Sequence, residues 1–253
     1  MNAHHDIHTA IKRPTAQIYN DYTPHDFLVW KTLFNRQMNI LTPNVSAAYL
    51  EALKTIKFNE SRIPNFEEVA EILKPITGWS LEVVPNISPT PTFFTFLSQK
   101  KFTATCWLRS MEQLDYLEEP DMFHDVFGHA PLLSNEPYVN FFKGISDIAL
   151  KHIHNQDKID LLGRIYWFTI EFGMIRENDK LKIYGAGIIS SKGETEHCLS
   201  EKTTHLPFDV TTIMETPYRT DILQEKYFVI DSFEQLYNSL PEIEAYLDKP
   251  DLN

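Results

Sequence analysis

The sequence predicts a mainly α fold with small β-ribbons, an α+β chain, on three observations. Apolar residues recur at helical spacing behind recognisable caps along most of the chain. Strand-like stretches are few and short. The 253 residues, of which 43% are hydrophobic, suffice for one substantial core that buries about three quarters of the unfolded surface.

The elements justify themselves in order. Residues 1–20 form a polar leader with His4, His5 and His8, expected to fray because it lacks apolar anchors, so 21–253 reads as a single domain. Thr23-Pro24-His25-Asp26 opens a helix with a capping Thr, Pro at the first helical position and an acid three residues on; Phe27, Trp30, Leu33 and Phe34 follow on one face. A second helix is expected from Val45 to Ile56. A third starts at Asn65, with Glu68 as its capping-box partner, and ends before Pro75. Strands are expected at Leu81–Val84, Phe102–Leu108, Leu181–Tyr184 and Tyr227–Asp231. The intervening Thr92–Leu97 is aromatic enough to be core. Long helices are expected over 136–154 and 157–173, and a last one, capped by Ser232 and Gln235, to Leu247.

Charge and cysteine usage narrow the function. With 23 Lys and Arg against 35 Asp and Glu, the net charge is −12, which disfavours nucleic acid and anionic membrane as partners. Cys106 and Cys198 have no CxxC spacing, so a reducing cytoplasm fits. No apolar run approaches the ~20 residues that span a bilayer, and no signal-peptide core is present. A soluble, cytoplasmic monomer is the expectation.

The chemistry concentrates in Glu118-Glu119-Pro120-Asp121-Met122-Phe123-His124-Asp125-Val126-Phe127-Gly128-His129-Ala130-Pro131, followed by Glu171 inside an apolar run. Two imidazoles and one carboxylate suit a divalent first-row metal that keeps open positions. The zincin pattern places its histidines at i,i+4 with a catalytic Glu between, and the i,i+5 spacing here departs from it. On an ideal α-helix the two rings would stand about 140° apart. The expectation is therefore His124 in a short helix and His129 just past its end, at Gly128 and before Pro131. A buried carboxylate demands a cationic neighbour, and Arg164 is the alternative to a metal beside Glu171. Asp121 suits a helix N-terminus. Gly185-Ala186-Gly187 lets the backbone approach closely, Ser190 is a candidate partner for a ligating imidazole, and Glu196-His197-Cys198 lacks a partner at ligand spacing.

Three ordered blocks resemble one family: Pro120-Asp121-x-x-His124-Asp125-x-x-Gly128-His129-x-Pro131-Leu132, then Tyr166-Trp167-Phe168-Thr169-x-Glu171-Phe172-Gly173, then Tyr184-Gly185-Ala186-Gly187-Ile188-Ile189-Ser190-Ser191. They look like the pterin-dependent aromatic amino acid hydroxylases, most of all the single-domain bacterial enzymes acting on phenylalanine. The resemblance implies a catalytic basket around a non-haem Fe(II) held by His124, His129 and Glu171, with a tetrahydropterin and O2 as further reactants. It implies that Phe93 stacks on the pterin and Asp125 faces it. Arg109 would grip the amino acid's carboxylate, Trp167 would wall the substrate pocket, and Gly187 and Ser190 would lie at the substrate. Asp121 would hold the ring of His124, with Tyr166 also standing behind the ligands. Leu117 departs from a Thr of the animal enzymes and removes one polar contact to the substrate's head group. Phenylalanine is the expected substrate and tryptophan the alternative. From other classes, a zinc hydrolase on the same His2Glu face and a non-catalytic binder of an aromatic amino acid or pterin stay open.

Overall fold

The computed structural model of the protein describes residues 13–115, 117 and 119–249. His4, His5, His8 and Glu118 lie outside the described residues. The described part of the expected leader is packed. Tyr19 donates its hydroxyl to the Ile63 carbonyl at 2.8 Å, Gln17 bonds the Pro64 carbonyl, and the Arg13 guanidinium lies 3.5 Å above the Trp107 ring.

Helices α1 (Pro24–Leu41), α2 (Ala47–Thr55) and α3 (Phe66–Ile76) form the front half. The capping box at α1 is complete, Thr23 and Asp26 each serving the other's backbone N–H. At α3 it is half-made: Asn65 caps the N–H groups of Glu67 and Glu68, but the Glu68 carboxylate turns to Arg62 instead. Pro75 is accommodated in the last turn of α3, where it removes only one helical donor, so the helix runs on to Ile76.

Strands β1 (Ser80–Val83) and β2 (Lys101–Ala104) pair in parallel, Leu81 opposite Phe102. Parallel pairing requires a crossover. Helix α4 (Thr90–Ser98) supplies it and absorbs the aromatic run from the sequence, burying Phe94 and Leu97.

A π-helix, Phe123–His129, comes next, then α5 (Glu136–Lys151) and α6 (Gln156–Tyr166), which continues into a second π-helix, Trp167–Glu171. Strands β3 (Met174–Glu177) and β4 (Lys180–Ile183) form a hairpin whose two-residue turn puts Asn178 and Asp179 at φ 49° and 62°, the left-handed conformation a tight hairpin needs. Helices α7 (Ala186–Ser190) and α8 (Lys192–His197), strand β5 (Thr204–Pro207), helix α9 (Val210–Glu215) and strand β6 (Lys226–Ile230) follow. The second sheet has the order β4-β3-β6-β5, with only the hairpin antiparallel. The expected last helix is two, α10 (Phe233–Asn238) and α11 (Leu240–Leu247), divided at Ser239 ahead of Pro241.

The mainly α expectation holds, with the ribbons partly parallel. Apart from Trp107 and Ala186, the buried apolar residues described join in one continuous cluster. At its centre Trp30 meets Phe123 edge-on at 5.6 Å, and Phe123 stacks on Phe127 at 4.6 Å. Burying each of those phenylalanines contributes roughly 1.5–3 kcal/mol. Their packing against α1 fixes the first π-helix in place, and so fixes the histidines on its other side.

Candidate metal centre

The winding of the helix brings the two histidines together. In a helix closed by i→i+5 hydrogen bonds, residues five apart stand one turn above each other on the same face. The rings of His124 and His129 accordingly lie 5.2 Å apart, edge to face at 84°. The expectation of His129 beyond the helix end is corrected: it is the last residue of a continuous helix, and the wider winding removes the angular argument against that. A π-helix leaves backbone groups in need of partners, and one of them, the Phe127 carbonyl, accepts the Tyr49 hydroxyl at 2.6 Å inside the core.

Glu171 ends the second π-helix, whose i→i+5 bond from Phe172 N–H to the Trp167 carbonyl is 2.8 Å. Its Oε1 lies 3.1 Å from His129 Nε2 and its Oε2 3.7 Å from His124 Nε2. One donor atom from each of the three residues lies within 4.8 Å of the others. Two ligands at right angles, each about 2.1 Å from a common ion, would stand about 3.0 Å apart, so this spacing fits a shared first-row cation. Burial alone would push the Glu171 carboxyl up, but His129 and His124, with the Tyr166 hydroxyl, outweigh it and hold the carboxyl near 2. Arg164 does not compete for it; its guanidinium donates to the Met214 carbonyl.

Ser190 sets the tautomer of His124. Its single hydroxyl proton goes to the Ala186 carbonyl at 2.8 Å, so toward His124 Nδ1, also at 2.8 Å, it acts as acceptor. Nδ1 then bears the proton and Nε2 presents its lone pair to the centre. Helix α7 can come this close because Gly185 has no side chain: a Cβ there would lie 2.4 Å from the Glu171 carbonyl oxygen. Gly187 serves the same approach, a Cβ there meeting Phe172 at 2.8 Å. On the far ring, Phe102 packs on the buried His129 at 4.7 Å, while His129 Nδ1 has no hydrogen-bond partner among the described residues.

Of the two roles expected of Asp121, the structure keeps the helix-capping one and gives the ring of His124 to Ser190. Asp121 accepts the His124 backbone N–H at 3.2 Å, capping the helix, and does not reach the imidazole ring. Its carboxylate instead clasps Arg109 through Nε at 2.9 Å and Nη2 at 2.7 Å, and takes the Arg109 backbone N–H as well. Both residues are buried.

Above the centre opens a cavity of about 440 Å³, lined by His124, His129 and Glu171 together with Phe93, Asp125, Tyr166 and Trp167. The half-buried Phe93 packs edge-on to Tyr166 at 5.7 Å. Burial pushes the Asp125 carboxyl up, against the pull of His124 and of two Thr105 hydrogen bonds that both end on Oδ2. Arg109, Ser190 and Gly187 lie outside this lining. Thr105 and Tyr218 line it and were not legible beforehand; Tyr218 sits in an irregular segment after α9 where no periodicity points inward.

No helix among the described residues is long and apolar enough to cross a membrane. A sequence model of the biopterin-dependent aromatic amino acid hydroxylases matches residues 3–251. The phenylalanine-4-hydroxylase of Ralstonia nicotianae is 42% identical over 219 residues, which span 86% of this chain and 70% of that protein. That of Chromobacterium violaceum is 39% identical over 92% of this chain and 78% of its own length. Two crystal structures of the Chromobacterium violaceum phenylalanine hydroxylase superpose on this chain with a TM-score of 0.87. The one with bound Fe(III) is 37% identical over 94% of this chain and 88% of its own; the one with iron(III) and 7,8-dihydrobiopterin is 38% identical over 93% and 86%. Fold, site geometry and sequence thus agree, and the chain belongs to the family of biopterin-dependent aromatic amino acid hydroxylases.

Proposed function

We propose that this protein is a phenylalanine 4-monooxygenase, hydroxylating L-phenylalanine to L-tyrosine with O2 and a tetrahydropterin at a non-haem Fe(II). The observation that carries the reading is the convergence of His124, His129 and Glu171 at the floor of an aromatic-walled cavity. The bacterial relatives named for phenylalanine support that choice of substrate over tryptophan.

Glu171, ionised throughout the neutral range, supplies the negative charge that a dication requires, and His124 meets the ion through Nε2. Bound there, iron and the tetrahydropterin would together supply the activation of dioxygen that no side chain can perform. Phe93 offers a ring for offset stacking on a flat heterocycle. Asp125 keeps Oδ1 as an acceptor for a pterin N–H, since Thr105 takes Oδ2. Arg109 stands outside the cavity lining and keeps only Nη1 clear of Asp121, so a role as anchor for the amino acid's carboxylate requires the carboxylate to reach that one nitrogen. Trp167 walls the substrate's ring, while Ser190 and Gly187 act by placing α7 against His124 and Glu171. Residues 21–253, with 13–20 packed against them, act as one catalytic domain, a cytoplasmic monomer whose partners are small molecules.

Anaerobic incubation with Fe(II), tetrahydropterin and, separately, phenylalanine, tryptophan and tyrosine, followed by oxygen and product analysis, tests the reading. Tyrosine formed from phenylalanine is expected. Tight phenylalanine binding without any hydroxylated product, or activity restored by zinc alone, would sink it.

A further inference from the structure

Between α9 and β6 the strap 216–225 crosses the side of the cavity without regular structure. Apolar burial does not hold it down: Ile222 and Leu223 are 42% and 45% exposed. A polar clamp does. The buried Glu194 of α8 accepts the Gln224 backbone N–H at 2.9 Å through Oε1 and the Tyr227 hydroxyl at 2.6 Å through Oε2. The Gln224 side chain, also buried, then uses both ends of its amide. Its Nε2 donates to the carbonyls of Arg219 at 2.8 Å and Ile222 at 3.0 Å, folding the strap on itself. Its Oε1 accepts the Trp167 indole N–H at 3.0 Å. One residue thereby ties the shape of the strap to the orientation of Trp167. The strap returns the contact through Tyr218, whose ring stacks on Trp167 at 4.5 Å and 16°, and both rings line the cavity.

We infer that Gln224 is a positioning residue and Tyr218 a specificity-determining one: the clamp from Glu194 through Gln224 holds Trp167 and Tyr218 as a double-ring wall that sets the width of the cavity for a one-ring aromatic amino acid. This rests on the hydroxylase reading and deepens it. Without the Tyr218 ring, Trp167 loses the group that backs it, and the cavity gains room for a second fused ring. A hydrophobic pocket wall discriminates against a single extra methylene by about 10- to 200-fold, which sets the least scale on which the wall acts.

The test compares wild type, Tyr218→Ala, Tyr218→Phe and Gln224→Met as iron-loaded enzymes, reading kcat/KM for phenylalanine and tryptophan and the KM for tetrahydropterin. In Tyr218→Ala the phenylalanine-to-tryptophan ratio is expected to fall by about tenfold or more, and Tyr218→Phe, which keeps the stack, to hold the wild-type ratio. Gln224→Met is expected to raise the KM for phenylalanine several-fold with the pterin KM unmoved. An unchanged ratio in Tyr218→Ala, or a Gln224→Met that shifts both KM values alike, overturns the inference while wild-type tyrosine formation leaves the hydroxylase reading standing. A wild type that hydroxylates neither substrate brings down both. Should Gln224→Met fail to fold, calorimetric binding of phenylalanine and tryptophan to the two Tyr218 variants, read without turnover, decides: a shifted binding ratio in Tyr218→Ala alone supports the inference, and equal ratios overturn it.

Discussion

Ser190 holds His124 by a hydrogen bond of 2.8 Å to Nδ1, and because the serine hydroxyl spends its proton on the Ala186 carbonyl, that bond also fixes which imidazole nitrogen is free. Ser190→Ala removes the acceptor and leaves the ring free to turn or change tautomer. Partners of this kind typically contribute 10- to 100-fold in metal affinity. Iron titration of the variant is expected to show weakening of about that size with unchanged thermal unfolding of the iron-free protein; unaltered affinity would remove Ser190 from the site.

Glu171→Ala deletes the carboxylate that lies 3.1 Å from His129 Nε2 and 3.7 Å from His124 Nε2. Iron per chain after dialysis is expected to fall to background, with turnover reduced more than the ~100-fold expected for loss of a supporting residue. Near-normal iron content would show that Glu171 is not a ligand. The fold is expected to be retained, because Glu171 stands at the cavity floor and lies outside the apolar cluster that forms the core.

Asp121→Ala strands the Arg109 guanidinium in a buried place and uncaps the helix that bears His124. Removing one partner of a buried ion pair costs about 3–5 kcal/mol. Urea unfolding of the iron-free protein should show a loss of that order, and a loss under about 1 kcal/mol would mean that solvent reaches the pair.

Glu194 gives a pH signature outside the metal centre. Burial raises its carboxyl, against hydrogen bonds from Tyr227 and the Gln224 backbone that lower it. A carboxyl raised on folding binds its proton more tightly in the native state. It therefore contributes stability below the unfolded value of about 4.3, and that contribution is lost as pH rises through the raised folded value. Glu194→Gln cannot titrate, so the stability difference between variant and wild type should move in the variant's favour as pH rises across that window. Unfolding curves from pH 4 to 7 that run parallel for the two proteins would contradict this.

Much of the site was legible before any coordinates. The residue types and spacing of His124, His129 and Glu171 pointed to a metal face, and Thr23, Asn65 and Ser232 marked helix starts that the structure keeps. The i,i+5 spacing carried the clue to a π-helix, but an α-helical ruler turned it into a break after Gly128, because winding responds to packing against Trp30 and Tyr49, not to local pattern. The β3–β4 hairpin was half seen: the second strand was expected, and the Asn178-Asp179 turn that announces the first was passed over.

Sequence alone determined the candidate ligand types, their order, the acidic balance and the helical majority, because composition, spacing and capping are properties of neighbouring residues. Tertiary structure decided which carboxylate serves which partner. Asp121 turned to Arg109, Arg164 turned to a backbone carbonyl, and Tyr218 entered the cavity wall, whereas the bond from Ser190 to an imidazole was expected from the sequence. Such choices depend on donors and acceptors brought together from distant segments and shut away from water, where an unpaired polar group costs more than any local preference can supply.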